Sequence, residues 1–218
     1  MDIVTGVGVL DKAVHLLRAV AETPRTLGGL QSATGLPRAT AHRLAVALEA
    51  HGLLRRDDDG RFDLGPELAS LGRTAAERFP LAGLALPALE ALRAATDESV
   101  QLFVREGSHR RCVVSLQSPH ALRWIVPEGV LFPLDVGSAG RVLSSIDMSG
   151  WIESVEEREP GVASVSAPVF DVDGSVVAAV SVSGPIDRLT RAPGEGFGES
   201  VLAAAAEIAR TLGTPPSN

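Results

Sequence analysis

The sequence predicts a two-part α+β chain: a small helical head closed by a β-hairpin, then a larger antiparallel-sheet domain with helices at both ends. Three observations carry this. Apolar residues recur at helical spacing up to residue 50. The period drops to two over a short hairpin between 53 and 65. Period-two runs return between 99 and 183 before a last amphipathic helix. At 218 residues and 45% hydrophobic content, the chain suits two modest domains with buried cores.

In order, Val9, Ala13, Leu16, Leu17 and Val20 form a helical stripe that ends before Pro24, and residues 1–8 are expected to be loose. A second, short helix is expected over Leu27 to Ala33, broken by Thr34-Gly35, because glycine enters positive φ without penalty. Pro37 suits the first turn of a third helix reaching about Ala50, where its missing N–H has no intrahelical partner to lose. In that helix Ala41, Leu44, Ala45 and Leu48 make one buried stripe. Arg38, Ala39, His42 and Arg43 make the opposite face.

Two helices around a glycine-containing turn, the second basic toward its start, match a helix-turn-helix whose recognition helix enters the major groove. Arginine can fork onto guanine, while Thr40 and His42 can reach base edges or phosphate. A plain helical hairpin with a solvated basic face is the alternative reading of these residues alone. The following stretch, Leu53 to Gly65, reads as a strand, an Asp-Asp-Gly turn and a second strand, which is a wing. Arg55, Arg56 and Arg61 on its arms can contact phosphates, whereas Asp57, Asp58 and Asp59 make its tip a poor groove reader.

Here the chain resembles a known family. GVGVLDKAVHLLRAV, followed by ATGLPRATAHRLAVALEAHGLLRRDDDGRFDLGPELASLG, is similar to the winged helix-turn-helix domain of the IclR family of bacterial transcriptional regulators. Gly150-Trp151 and EEREPGVASVSAPVFDVDGSVVAAVSVSGP resemble that family's effector-binding domain. The nearest subgroup is the NdgR-like one, which regulates amino-acid biosynthesis including leucine genes. The resemblance implies a winged helix-turn-helix domain over 6–65, a connector helix over 66–79 and a GAF-like effector-binding and dimerisation domain over 80–218. It implies DNA contacts from Pro37, Arg38, Ala39, Thr40, His42, Arg43, Arg55, Arg56 and Arg61. It further implies an effector site at Ser138, Ala139, Gly140, Ser154, Ser164, Ser181 and Ser183.

Beyond the wing, Pro66 to Arg78 reads as a narrow-striped helix bracketed by prolines, which suits a connector. A further helix is expected over Leu84 to Thr96. Strands are expected over Ser99 to Arg105, Arg111 to Leu116, Leu122 to Val126, Val130 to Leu134, Val162 to Phe170 and Ser175 to Ser183. A short helix, Arg141 to Ser145, and a closing one, Gly198 to Leu212, complete the pattern. Compared with the family, some two dozen residues are absent after Ser145. Either part of one pocket wall is lost or a flexible segment is missing from the chain.

Charge separates the halves. Residues 1–79 carry 10 basic and 10 acidic side chains, whereas residues 80–218 carry 10 and 17, so the net charge of −7 belongs to the second half. From Arg25 to Arg61, six arginines face Glu49 and three aspartates, net +2. So modest a charge favours two or more heads acting together on DNA, since phosphate neutralisation supplies most nonspecific attraction. In some relatives the position of Ser154 is acidic. Its absence here predicts a neutral pocket anchored by hydroxyls and backbone N–H groups. Ser181 and Ser183 have a plainer reading too, as the alternation of a half-buried strand.

Enzymatic signatures are missing: no nucleophile elbow, metal-protease, P-loop or dinucleotide motif occurs. A lone cysteine, Cys112, rules out an intramolecular disulfide and a cysteine-based zinc site, so neither cofactor nor metal is expected. No signal-peptide pattern or membrane-length apolar run is present, which predicts a cytoplasmic protein without a membrane partner. The reading is a cytoplasmic repressor-type regulator. It binds double-stranded promoter operator DNA as a homodimer or dimer of dimers and responds to a small-molecule effector, an amino acid or related metabolite. The shortened pocket wall predicts weak effector binding or none. The alternative is a ligand-independent DNA-binding protein whose second domain serves only oligomerisation.

Overall fold

A computed structural model describes residues 7–78, 80–145 and 150–213. Most of the segment expected to be loose, and residues 146–149 at the position of the expected deletion, lie outside the described residues. The chain divides into two compact units, residues 1–79 and 80–218.

The first unit is built from α1 (Gly8–Glu22), α2 (Leu27–Thr34), α3 (Arg38–Ala50), a hairpin of β1 (Leu54–Arg56) and β2 (Phe62–Leu64), and α4 (Pro66–Arg78). Thr26 caps α2 by accepting from the Gly29 N–H (3.2 Å), and Gly35 ends it at φ 67°, donating to the Gln31 carbonyl (2.8 Å). Leu16, Val20, Leu30, Ala45, Leu48, Leu54 and Phe62 form one core, so α1 and the wing clamp the two helices of the turn. Arg25 and Phe62 exchange both backbone bonds (2.9 and 2.8 Å), tying the wing to the entry of α2. Val9, expected on the buried stripe of α1, is 64% exposed within this unit. Pro37 stands one residue before α3, with extended ψ of 142°. Its carbonyl accepts from Thr40 and Ala41, so it caps the helix instead of occupying the first turn.

The second unit contains α5 (Leu81–Thr96), β3 (Ser99–Glu106), β4 (His109–Leu116), β5 (Leu131–Pro133), α6 (Ser138–Ser144), β6 (Ile152–Val155), β7 (Val162–Phe170), β8 (Val176–Pro185), α7 (Ile186–Leu189) and α8 (Pro193–Leu212). Its six strands run antiparallel in the order β5-β4-β3-β8-β7-β6. Alternation splits the sheet's two faces by chemistry. Val100, Leu102, Ala163, Val165, Ala167, Val180 and Val182 point to the face covered by α5 and α8, where they join Leu89, Leu92, Val201 and Ile208 in the main core. At the start of β3 the buried Glu98 carboxylate takes both forks of Arg188 in α7, Nη2 to Oε2 at 2.9 Å.

The strand expected over Leu122 to Val126 does not form. The outer edge of β4 is already occupied, because Cys112 bonds Val130 (3.0 Å) and Gly129 (2.7 Å) and β5 pairs with residues 109–111. The short helix expected over Arg141 to Ser145 starts earlier: α6 begins at Ser138, so Ser138, Ala139 and Gly140 form its first turn.

Candidate nucleic-acid interface and ligand pocket

On α3 the structure leaves Pro37, Arg38, Ala39, His42 and Arg43 exposed, with Thr40 half-buried. Among the described residues no carboxylate lies within ion-pair distance of Arg38 or Arg43. Arg38 donates from Nη1 to the Gln31 side chain of α2 (3.4 Å), a positioning partner that the sequence reading did not name. The wing arginines differ. Arg55 pairs with Asp63 (2.5 Å), Arg61 with Asp57 (2.8 Å) and Asp59 (2.7 Å), and Arg56 with Glu49 (3.3 Å) while lying 4.1 Å over the Phe62 ring. The hydrogen bond from Arg61 holds the Asp57 carboxyl below its usual range. These three cations are therefore partly neutralised by their own hairpin and its neighbour, which weakens their attraction for phosphate relative to Arg38 and Arg43.

In the second unit the sheet face away from α5 and α8 is lined by hydroxyls. Cross-strand register sets Ser154, Ser164 and Ser183 in one row, and Ser166, Ser181 and Gln101 in the next. A chain reversal brings Ser138, at the start of α6, over them, where its Oγ shares hydrogen bonds with Ser164 and Ser166, each 2.7 Å. Ser183 donates to Gln101 Oε1 (2.8 Å). A partly open cavity of about 30 Å³ lies here, lined by Ser138, Ala139, Ser154, Ser164, Ser181 and Ser183 together with Gln101, Phe103, Arg110, Trp124 and Arg158. Of the residues expected at the site, Gly140 alone stands behind the wall, where a Cβ would strike the Leu134 carbonyl and Arg110 Nη1.

The expectation of a neutral pocket is overturned. Arg110 on β4 is 1% exposed, with its guanidinium 5.5 Å from the Phe103 ring centre and 5.4 Å from that of Phe132. Its Nη1 donates to the Pro133 carbonyl, and among the described residues it makes no other hydrogen bond, so Nε is buried without a partner. Burial pushes the Arg110 pKa down to about 10, with repulsion from Arg158 in the same direction and attraction from Asp135 opposing. Arg158 stacks 3.8 Å over Phe132 and lies 5.5 Å from the Trp124 ring centre. Its pKa is likewise lowered by burial, against the pull of Glu159. With two arginines, Arg110 and Arg158, against one lining carboxylate, Glu159, and none at position 154, the lining carries a net positive charge.

How Arg110 reaches this face follows from a bulge. Leu102 pairs with Val114 but Phe103 with Cys112, which leaves Val113 unpaired. Val114 stays with the main core, whereas Cys112 and Arg110 turn to the pocket side with Phe103. Cys112, fully buried there, has its thiol pKa pushed up to about 12 by burial. Among the described residues no cluster of His, Cys, Asp and Glu could hold a metal ion, and no helix is long and apolar enough to cross a membrane.

A winged helix-turn-helix unit in one chain with an α+β domain holding a polar pocket defines the class of DNA-binding transcriptional regulators that carry a second, sensor-type domain. The comparisons name the family. Residues 9–58 match the IclR helix-turn-helix domain, and residues 73–149 and 142–210 match the bacterial transcriptional regulator IclR C-terminal domain in two segments that meet where the chain is short. This chain belongs to the IclR family of bacterial transcriptional regulators. It is 30% identical to the glycerol operon regulatory protein of Streptomyces coelicolor, covering 84% of this chain and 86% of that one. It is 28% identical to the HTH-type transcriptional regulator KipR of Bacillus subtilis, covering 93% and 96%. The fold is shared with an IclR homolog from Microbacterium hydrocarbonoxydans complexed with 4-hydroxybenzoate: TM-score 0.76, 22% identity, 94% of this chain and 98% of that one. It is a regulator, not an enzyme.

Proposed function

We propose that this regulator binds near-palindromic promoter sites as a homodimer or dimer of dimers, and that a small metabolite in the serine-lined pocket sets its operator affinity. The observation that carries the sensor reading is the pocket itself. Buried donors at Gln101 Nε2 and Arg110 Nε without partners among the described residues lower stability, and such groups persist where a ligand or solvent satisfies them. A domain serving only oligomerisation has no need of them, so the ligand-independent alternative is not favoured. The relative bound to 4-hydroxybenzoate supports the same reading by analogy of fold.

The resemblance to the amino-acid-biosynthesis subgroup makes leucine and its biosynthetic intermediates the first effector candidates, with genes of that metabolism as targets. At about 30 Å³ the cavity holds little more than solvent. A metabolite therefore displaces that solvent and moves the half-buried Trp124 outward. The ligand changes DNA affinity only through its differential affinity for two arrangements of the DNA-binding heads, with α4 as the connector that transmits it. Ser164→Leu and Ser181→Leu fill the cavity. Both variants are expected to lose ligand-dependent change in operator affinity while retaining operator binding itself, as read by fluorescence anisotropy. A full ligand response in both variants would place the effector elsewhere.

A further inference from the structure

We propose that Arg110 and Arg158 form a paired-guanidinium subsite that selects a small dianion, a dicarboxylate of succinate or malate size, over monocarboxylates and zwitterionic amino acids. This rests on the pocket reading above and, within it, replaces leucine as first candidate with a dianionic metabolite. Both guanidiniums lie on the ring of Phe132, at 5.4 and 3.8 Å, so one compact molecule spans them. Gly137 sits between: a Cβ there would lie 3.3 Å from Arg110 Nη2 and 3.4 Å from Arg158 Cδ, so the two side chains approach one another closely over the glycine with no side chain separating them.

Neither arginine has a carboxylate within ion-pair distance among the described residues, and neither uses its fork. Arg110 gives one bond, to a carbonyl, and Arg158 gives none. Elsewhere in this domain the arginines facing a carboxylate close on it, as Arg111 does on Glu106 and Arg188 on Glu98. Two like charges held together in an apolar, aromatic wall repel one another and are poorly hydrated. One carboxylate leaves a residual positive charge, whereas two anionic groups neutralise both and accept the unused N–H donors. Gln101 Nε2, 1% exposed at the residue level and also without a partner, adds a further donor among the serines for an acceptor-rich ligand. Three carboxylates stand near the subsite and oppose an anion there: Glu159 lines the pocket and attracts Arg158, Asp135 attracts Arg110, and Glu157 accepts from the Gly137 N–H (2.9 Å), but none forms an ion pair with either guanidinium.

The test is calorimetric titration of the full chain at fixed ionic strength with succinate, malate, butyrate, leucine and inorganic phosphate. The expected result is at least a tenfold preference for a dicarboxylate over butyrate and leucine. Arg158→Gln is expected to reduce that preference to within about threefold, and Arg158→Lys to restore part of it. Phosphate equal to or tighter than the dicarboxylates reassigns the dianion to a phosphate group and overturns the dicarboxylate. Arg110→Gln removes the bond to Pro133 and can unfold the domain, so Arg158 carries the decision, with circular dichroism confirming its fold. Selectivity unchanged in Arg158→Gln, or no heat with any dianion, overturns the subsite. Leucine binding that is abolished by Ser181→Leu but indifferent to Arg158 would sink the subsite while leaving the sensor function standing.

Discussion

Gly140→Ala is expected to destabilise the second unit by about 2–3 kcal/mol, the scale of an overpacked, poorly yielding core site. The added Cβ would meet the Leu134 carbonyl carbon at 2.9 Å and Arg110 Nη1 at 2.5 Å, besides striking the carbonyl oxygen. Backbone cannot step aside cheaply, and Arg110 is pinned between two aromatic rings. The first turn of α6 is driven away from β5, and with it Ser138 leaves Ser164 and Ser166. Urea unfolding checks this through a fall in the midpoint at unchanged slope. The same substitution at Gly196, an exposed position in α8 where a Cβ meets nothing within 4 Å, is the matched control and should leave stability unchanged or raise it by up to about 1 kcal/mol. A harmless Gly140→Ala would contradict the close packing on which the pocket wall depends.

The second large effect is on DNA. Arg38→Ala is expected to cost about 1–3 kcal/mol of operator affinity and to relax preference at one base pair, whereas random duplex should change far less. Arg38 stands at the exposed start of α3, steered by Gln31, with no carboxylate to neutralise it among the described residues. Arg55→Ala should weaken operator and random DNA alike and by less, because Asp63 already holds that guanidinium at 2.5 Å. Anisotropy titrations of both variants on both duplexes separate the two roles. Equal losses on operator and random DNA for Arg38→Ala would make it a phosphate contact.

The head was largely legible in the sequence because its signals are local. The stripe of Ala41, Leu44, Ala45 and Leu48, of which only Leu44 is half-buried, the turn at Gly35 and the hairpin each lie within a few residues and stand where the spacing put them. Small misreadings came from termini, as with Pro37, which caps α3 instead of entering it. The ion pairs that hold the wing arginines depend on strand register and on Glu49 of α3, which no local pattern encodes. In the second unit, the resemblance pointed to serines that alternation then aimed at one face, and six of the seven expected residues line the pocket.

Its charge was invisible for a specific reason. Arg110, Cys112 and Val114 stand at period two, so a regular strand would put all three on one face. The unpaired Val113 sends Arg110 and Cys112 to the other. Arg158 arrives from the turn after β6, and Phe132 and Trp124 from segments that a linear reading assigned to strands facing no particular partner. Local period predicts which residues are buried better than it predicts what they meet.

The proposed coupling is between specific DNA recognition and an occupied pocket in one chain. It is tested most directly by selecting bound duplexes from a random pool, then titrating the full protein onto the selected duplex with and without a saturating small dicarboxylate. The expected result is a near-palindromic sequence with half-sites about one helical turn, or a multiple of it, apart, and an affinity that shifts about 5- to 150-fold with ligand. No enrichment from the pool, or an enriched site whose affinity ignores every ligand that binds the pocket, would contradict it.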